Sequence, residues 1–80
     1  MKLKEIEALC EGDWIAINDG SVGVFMFINQ YCKDNGYPYV RVELLCIDGF
    51  GRVRDFWPAQ IKGLTTKHTV RNGKIVNTKR

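Results

Sequence analysis

Residues 11–28 constrain this chain more than any other stretch. Glu11-Gly12-Asp13 reads as a turn, and Trp14-Ile15-Ala16-Ile17 follows at once as an apolar strand. Asn18-Asp19-Gly20-Ser21 is turn chemistry, because Gly and Asn adopt positive φ at little cost. A second apolar run, Val22–Ile28, comes next. Turn, strand, turn, strand in eighteen residues leaves no room for a helix and selects an all-β class. The second run is apolar on both faces at its centre. Val22, Val24, Met26 and Ile28 alternate with Gly23, Phe25, Phe27 and Asn29. That pattern suits a strand bending across a small closed barrel, with Gly23 placed for the bend or a bulge.

The rest of the chain extends the pattern. Leu3, Ile6 and Leu9 recur at helical spacing among good helix formers, so residues 3–9 are expected as a short helix docked on the barrel. The long strand is expected over 22–31, followed by a polar loop over 31–36 that ends in the hairpin signal Asn35-Gly36. A strand over 37–48 would turn Val40, Val42, Leu44 and Cys46 inward and Tyr39, Arg41, Glu43 and Leu45 outward. Asp48-Gly49 and Gly51 suggest the next hairpin. A strand over 52–57 would be stopped by Pro58, which cannot donate to a ladder. One 3₁₀ or α turn over 58–61 follows. In the tail, β-branched alternation and Asn72-Gly73 favour a final strand and hairpin over a helical turn at 65–71. The organisation read from 80 residues is therefore a single domain. It has an N-terminal helical segment over 1–10, a five-stranded barrel over 11–64, and a basic β-extension over 65–80.

This plan resembles the SH3-like barrel over residues 11–70. Glu11-Gly12-Asp13-Trp14-Ile15-Ala16-Ile17, with Gly23-Val24 after the turn, resembles the opening of KOW, Tudor and related modules. Leu64-Thr65 and Asn72-Gly73 are similar to the closing segment of small uncharacterised bacterial and phage proteins, a likeness that implies no activity. The plasmid-borne type II dihydrofolate reductases share the plan and carry a Val-Gln-Ile-Tyr motif on a late strand. This chain has Val53-Arg54-Asp55-Phe56 there. The glutamine and the tyrosine hydroxyl are both missing, so no role is carried over.

The residues argue against an enzyme. Catalysis needs a nucleophile, a base or a metal held in place. The chain has one serine, Ser21 in a turn, and one histidine, His68 in the tail. His68 has no ligand partner at metal spacing. Cys10, Cys32 and Cys46 are odd in number and far apart, which fits reduced thiols in the cytoplasm rather than a disulfide framework. No apolar run approaches a membrane span, and residues 1–5 show no leader. No catalytic residue, metal, cofactor or small-molecule substrate is expected, and a barrel this small has little room for a pocket.

Charge and aromatic content point instead to a binding surface. The net charge of +3 hides a split. Residues 1–55 hold six basic residues and all nine acids, whereas residues 56–80 hold six basic residues and no acid. A one-signed segment suggests a polyanionic partner. The chain has nine aromatic residues, more than a small barrel can enclose. Aromatic faces beside Arg and Lys are a common means of gripping unstacked bases. The expected nucleic-acid surface has Arg52, Arg54, Lys67, Arg71 and Lys74, with Lys79 and Arg80, neutralising phosphates. Tyr37, Tyr39 and Trp57 offer stacking faces. The alternative is a module for a protein partner or for self-assembly, through an unpaired edge strand and the leftover aromatics.

Overall fold

The computed structural model of the protein describes residues 1–78. Its main layer is a five-stranded antiparallel sheet of β1 (Trp14–Ile17), β2 (Val22–Ile28), β3 (Val40–Cys46), β4 (Gly49–Phe56) and β5 (Ile61–Leu64). The strands run in the order β4-β3-β2-β1-β5. A separate two-stranded ribbon, β6 (His68–Arg71) and β7 (Lys74–Asn77), follows. Two short helices complete the chain, α1 (Leu3–Glu7) and α2 (Gln30–Asp34), with a 3₁₀ turn at Pro58–Gln60.

Each turn has a local cause. At the β1–β2 turn, Asp19 Oδ1 accepts the Ser21 N–H at 2.9 Å, and Gly20 takes φ 95°. Asn18 ties this turn to the 3₁₀ segment, donating its side-chain amide to the Ala59 carbonyl and its N–H to that of Gln60. At the ribbon tip, Asn72 and Gly73 both take positive φ, 53° and 73°. That is the geometry a two-residue hairpin loop requires, so the tail is the expected strand and hairpin.

The core lies on one face of the sheet. Ile15 and Ile17 of β1, Phe25 of β2, Val40, Val42 and Leu44 of β3, Phe56 of β4 and Ile61 of β5 pack together, with Ile6 of α1 fully buried among them. The expected closed barrel is not formed. β4 and β5 are the two edges of an open sheet, with no ladder between them among the described residues. The seam is filled by the N-terminal segment instead. Ile6 and Met1 pack on the core, and the Met1 amino group donates to the carbonyls of Pro58 and Ile61. Those two carbonyls flank the crossing from β4 to β5, where a closing ladder would have to begin.

The structure also corrects several element boundaries. Residues 30–34 form α2 rather than the end of a strand and a loop. Asn29 caps it, its Oδ1 accepting the Cys32 N–H at 3.0 Å, and Gly36 ends it at φ 91°. Strand β3 starts at Val40 rather than Tyr37, because α2 and its exit occupy the residues before it. Strand β4 starts at Gly49 rather than Arg52, since the turn is the tight pair Ile47-Asp48. A bulge between Phe25 and Phe27 sets Phe25 beside Val42 and Phe27 beside Arg41. Ile28 thereby joins the core-side row with Val40, while Val24 lies opposite Glu43 on the other side. The single-face alignment expected for Val22, Val24, Met26 and Ile28 is therefore broken at the bulge.

Candidate nucleic-acid interface

Register decides which side chains share a face, because directly paired residues point to the same side of the sheet. Ile15, Gly23, Leu44 and Arg52 form one row on the core side. Phe25, Val42 and Arg54 form the next. Trp14, Val24, Glu43 and Val53 lie on the outer side, as do Phe27, Arg41 and Asp55.

One half of the outer side is covered by the ribbon. The His68 ring stacks on Trp14, with centroids 6.0 Å apart and planes 28° apart. Phe50 packs on the same indole at 5.6 Å. β6 lies against β3. Val22 and Leu45 are buried although they lie outside the core cluster. Leu45 is thus on the side that alternation expected, but it is covered.

The other half of the outer side is open and aromatic. Phe27, Val53 and Trp57 are 44%, 45% and 42% exposed. Trp57 meets Tyr39 with centroids 4.9 Å apart and a tilt of 51°. Tyr37 is exposed nearby in sequence, its N–H held by the Cys32 carbonyl at 2.8 Å. Between the aromatics sits an ion pair that the sequence reading missed. Arg41 donates to both Asp55 oxygens, at 2.8 and 3.1 Å, while its guanidinium lies 5.6 Å from the Phe27 ring centre. A bidentate pair fixes the geometry of both partners. It also cancels their charges, so the open aromatic half has no net positive charge of its own beside Glu43.

The Arg41 hydrogen bonds hold the Asp55 carboxyl below its ordinary value of 3.8, against a smaller opposing effect of burial. A carboxylate depressed in the folded state stabilises it above the unfolded pKa, and that contribution is lost as pH falls through the folded value. The window therefore lies below about pH 4. Replacing Arg41 by Gln should raise the Asp55 titration midpoint, followed by carboxyl carbon NMR. It should also remove this part of the acid sensitivity of folding. An unmoved midpoint would show that the pair does not form in solution. Asp19 is lowered too, chiefly by its hydrogen bonds from Ser21 and more weakly by the charge of Arg54.

The expected cations fall into two groups. Arg52 and Arg54 are exposed on edge strand β4, on the opposite side of the ladder from Asp55 and Val53. Arg52 approaches Asp48 at 3.7 Å. The Tyr39–Trp57 contact lies just past the ends of β3 and β4, so these two arginines and that aromatic pair point to different sides.

Lys67, Arg71 and Lys74 come together on the ribbon. The β6–β7 ladder pairs Arg71 with Lys74, Val70 with Ile75, Thr69 with Val76 and His68 with Asn77. The Thr78 N–H donates to the Lys67 carbonyl at 2.9 Å, which extends the ladder by one pair. Strand alternation then puts Lys67, Thr69, Arg71, Lys74 and Val76 on one side and His68, Val70, Ile75 and Asn77 on the other. Since His68 is on Trp14, the lysines and arginine face away from the sheet. All three are exposed. Lys79 and Arg80 lie outside the described residues.

Among the described residues, no group of three His, Cys, Asp or Glu side chains is placed to hold a metal, and no helix is long and apolar enough to cross a membrane. Comparison of the chain with protein-family models, with curated proteins and with solved structures gave no match.

Proposed function

We propose that this chain is a non-enzymatic binding module that contacts nucleic acid. The observation that carries the reading is the shared outward face of Lys67, Arg71 and Lys74, in a segment, 56–80, that holds no acid. Arg52 and Arg54 add charge along β4, and Tyr37, Tyr39 and Trp57 offer stacking faces worth roughly 1–3 kcal/mol per base. The order β4-β3-β2-β1-β5, with a 3₁₀ turn just before β5, supports an SH3-like plan. The groups a hydrolytic site would need have structural duties here. His68 is stacked on Trp14 with Nδ1 at the Thr66 carbonyl, and Ser21 belongs to an Asx turn. Three free thiols support a reducing compartment, the cytoplasm.

Phosphate neutralisation releases counterions, so affinity should fall linearly on a log–log plot against salt. The expected result, by fluorescence anisotropy with labelled oligonucleotides, is tight binding at low salt that weakens steeply as salt rises. Removing Lys67, Arg71 and Lys74 together should flatten the slope by about 2–3, at ~0.7–0.9 per phosphate contact. No binding to any DNA or RNA at low salt, or binding indifferent to salt, would rule the reading out.

A second reading is a protein partner or a second copy of the chain. It is favoured by the charge-cancelled aromatic half around Arg41–Asp55 and by the bare edge of β4. Residues 50–55 are all exposed and, among the described residues, make no backbone hydrogen bond beyond their ladder with β3. Such an edge accepts a further strand. Light scattering over a range of concentrations, after nuclease treatment, tests self-assembly. A constant monomer mass would remove that arm.

A further inference from the structure

We infer that the β6–β7 ribbon enters the major groove of B-form DNA, with the Lys67–Thr69–Arg71 and Lys74 side turned to the bases. This rests on the nucleic-acid reading above and narrows it to one partner and one groove. The first ground is shape. Two strands about 4.8 Å apart, with their side chains, make a ribbon about 10 Å across. The major groove, about 12 Å wide and about 8.5 Å deep, admits a two-stranded ribbon, and the minor groove, about 6 Å wide, does not. Four residues per strand in each arm give about 13 Å of length at ~3.3 Å per residue, more than the groove depth.

The second ground is which side is free. Among the described residues the ribbon belongs to no other sheet, and its His68 side rests on Trp14. Among the described residues its opposite side carries three cations, two hydroxyls and one apolar side chain: Lys67, Arg71, Lys74, Thr69, Thr78 and Val76. Those are the groups that meet a groove floor. Arg bonds guanine O6 and N7, Thr bonds base edges or the thymine methyl, and Lys reaches flanking phosphates. No acid lies anywhere between residue 56 and the end of the described chain to oppose an anion. The third ground is the tip. Asn72-Gly73 makes the narrowest loop a hairpin has, and Arg71 and Lys74 flank it directly. Nothing bulky precedes the cations into a groove.

The test uses the full chain and four probes of one mixed sequence. These are a 16-base-pair DNA duplex, the same duplex with glucosylated 5-hydroxymethylcytosine in place of cytosine, the matching RNA duplex, and one DNA strand alone. The sugar fills the major groove and leaves phosphates and minor groove unchanged. A-form RNA has a major groove too deep and narrow for side chains to read. The expected result is at least tenfold weaker binding to the glucosylated and RNA duplexes than to plain DNA. Arg71→Ala should narrow the gap between the plain and glucosylated duplexes while the circular dichroism spectrum stays that of the parent, a change that loss of folding would not mimic. Equal binding to plain and glucosylated duplexes would overturn the groove assignment while leaving nucleic-acid binding intact. A preference for the single strand would do the same. No binding to any of the four would remove both the inference and the function beneath it.

Discussion

Replacing Gly23 by alanine should lower the stability of the fold by about 2–3 kcal/mol, at the upper end of the usual range for overpacking. In a domain of this size that corresponds to a fall in Tm of roughly 10–20 °C. Gly23 sits between Ile15 and Leu44 in the core-side row. A Cβ built there lies 2.6 Å from the Glu43 carbonyl oxygen, 2.8 Å from Val42 Cγ1 and 3.1 Å from Leu44 Cα. Two of the three are backbone atoms, so relief requires the strands to separate. Gly23 does not have a positive φ, and the whole penalty is therefore contact rather than backbone strain. Gly63 is the control: it lies in β5 with open space where its Cβ would go. Thermal melts by circular dichroism should show Gly63→Ala near the parent and Gly23→Ala far below it. Equal melts would mean that β2 and β3 are not in this register.

Ile15→Ala should be costlier still, about 3–4 kcal/mol, within the ~2–5 kcal/mol that truncating a buried Ile brings. Ile15 is wholly inaccessible and is paired on both sides, to Gly23 of β2 and Leu64 of β5. The neighbouring glycine has no side chain to relax into the space, and α1 closes the opposite side with Ile6. The lost methyls therefore leave a void. A small domain has only about 5–10 kcal/mol in hand, so this one change should remove a large part of it. Chemical denaturation gives the number. The midpoint should drop with the slope unchanged, and a loss below about 1 kcal/mol would place Ile15 outside the core.

Local chemistry in the sequence located much of this architecture. The Asn18–Ser21 turn, the stop at Pro58 and the Asn72-Gly73 hairpin each depend on one or two residues with a strong backbone preference, and each is where expected. What pattern alone could not supply is register. A strand over 22–31 and a bulge at Met26 have nearly the same composition, yet the bulge decides whether Phe27 meets Arg41 or the core. The Arg41–Asp55 pair was hidden for the same reason. It follows from a tight turn at Ile47-Asp48, whereas a turn spread over Asp48, Gly49 and Gly51 would give each residue another partner. Asn29 falls inside the strand expected over 22–31, although an asparagine is equally a helix cap. The open seam was illegible because nothing in strand periodicity says that Met1 and Ile6 occupy the place of a closing ladder. As for the candidate surface, alternation along β6 and β7 sufficed to gather Lys67, Arg71 and Lys74. Composition had grouped Arg52, Arg54, Tyr39 and Trp57 with them, but only strand pairing sorts those four onto different sides.

Among the described residues the ribbon shares no backbone hydrogen-bond ladder with the five-stranded layer; side-chain packing and one short connector hold it in place. Residues that build the scaffold and residues that would meet a target are consequently almost disjoint sets. Tip sequence and arm length are free to diverge without disturbing Ile15, Gly23 or the seam. Descendants of such a chain could acquire new targets by rewriting about a dozen codons of the ribbon alone.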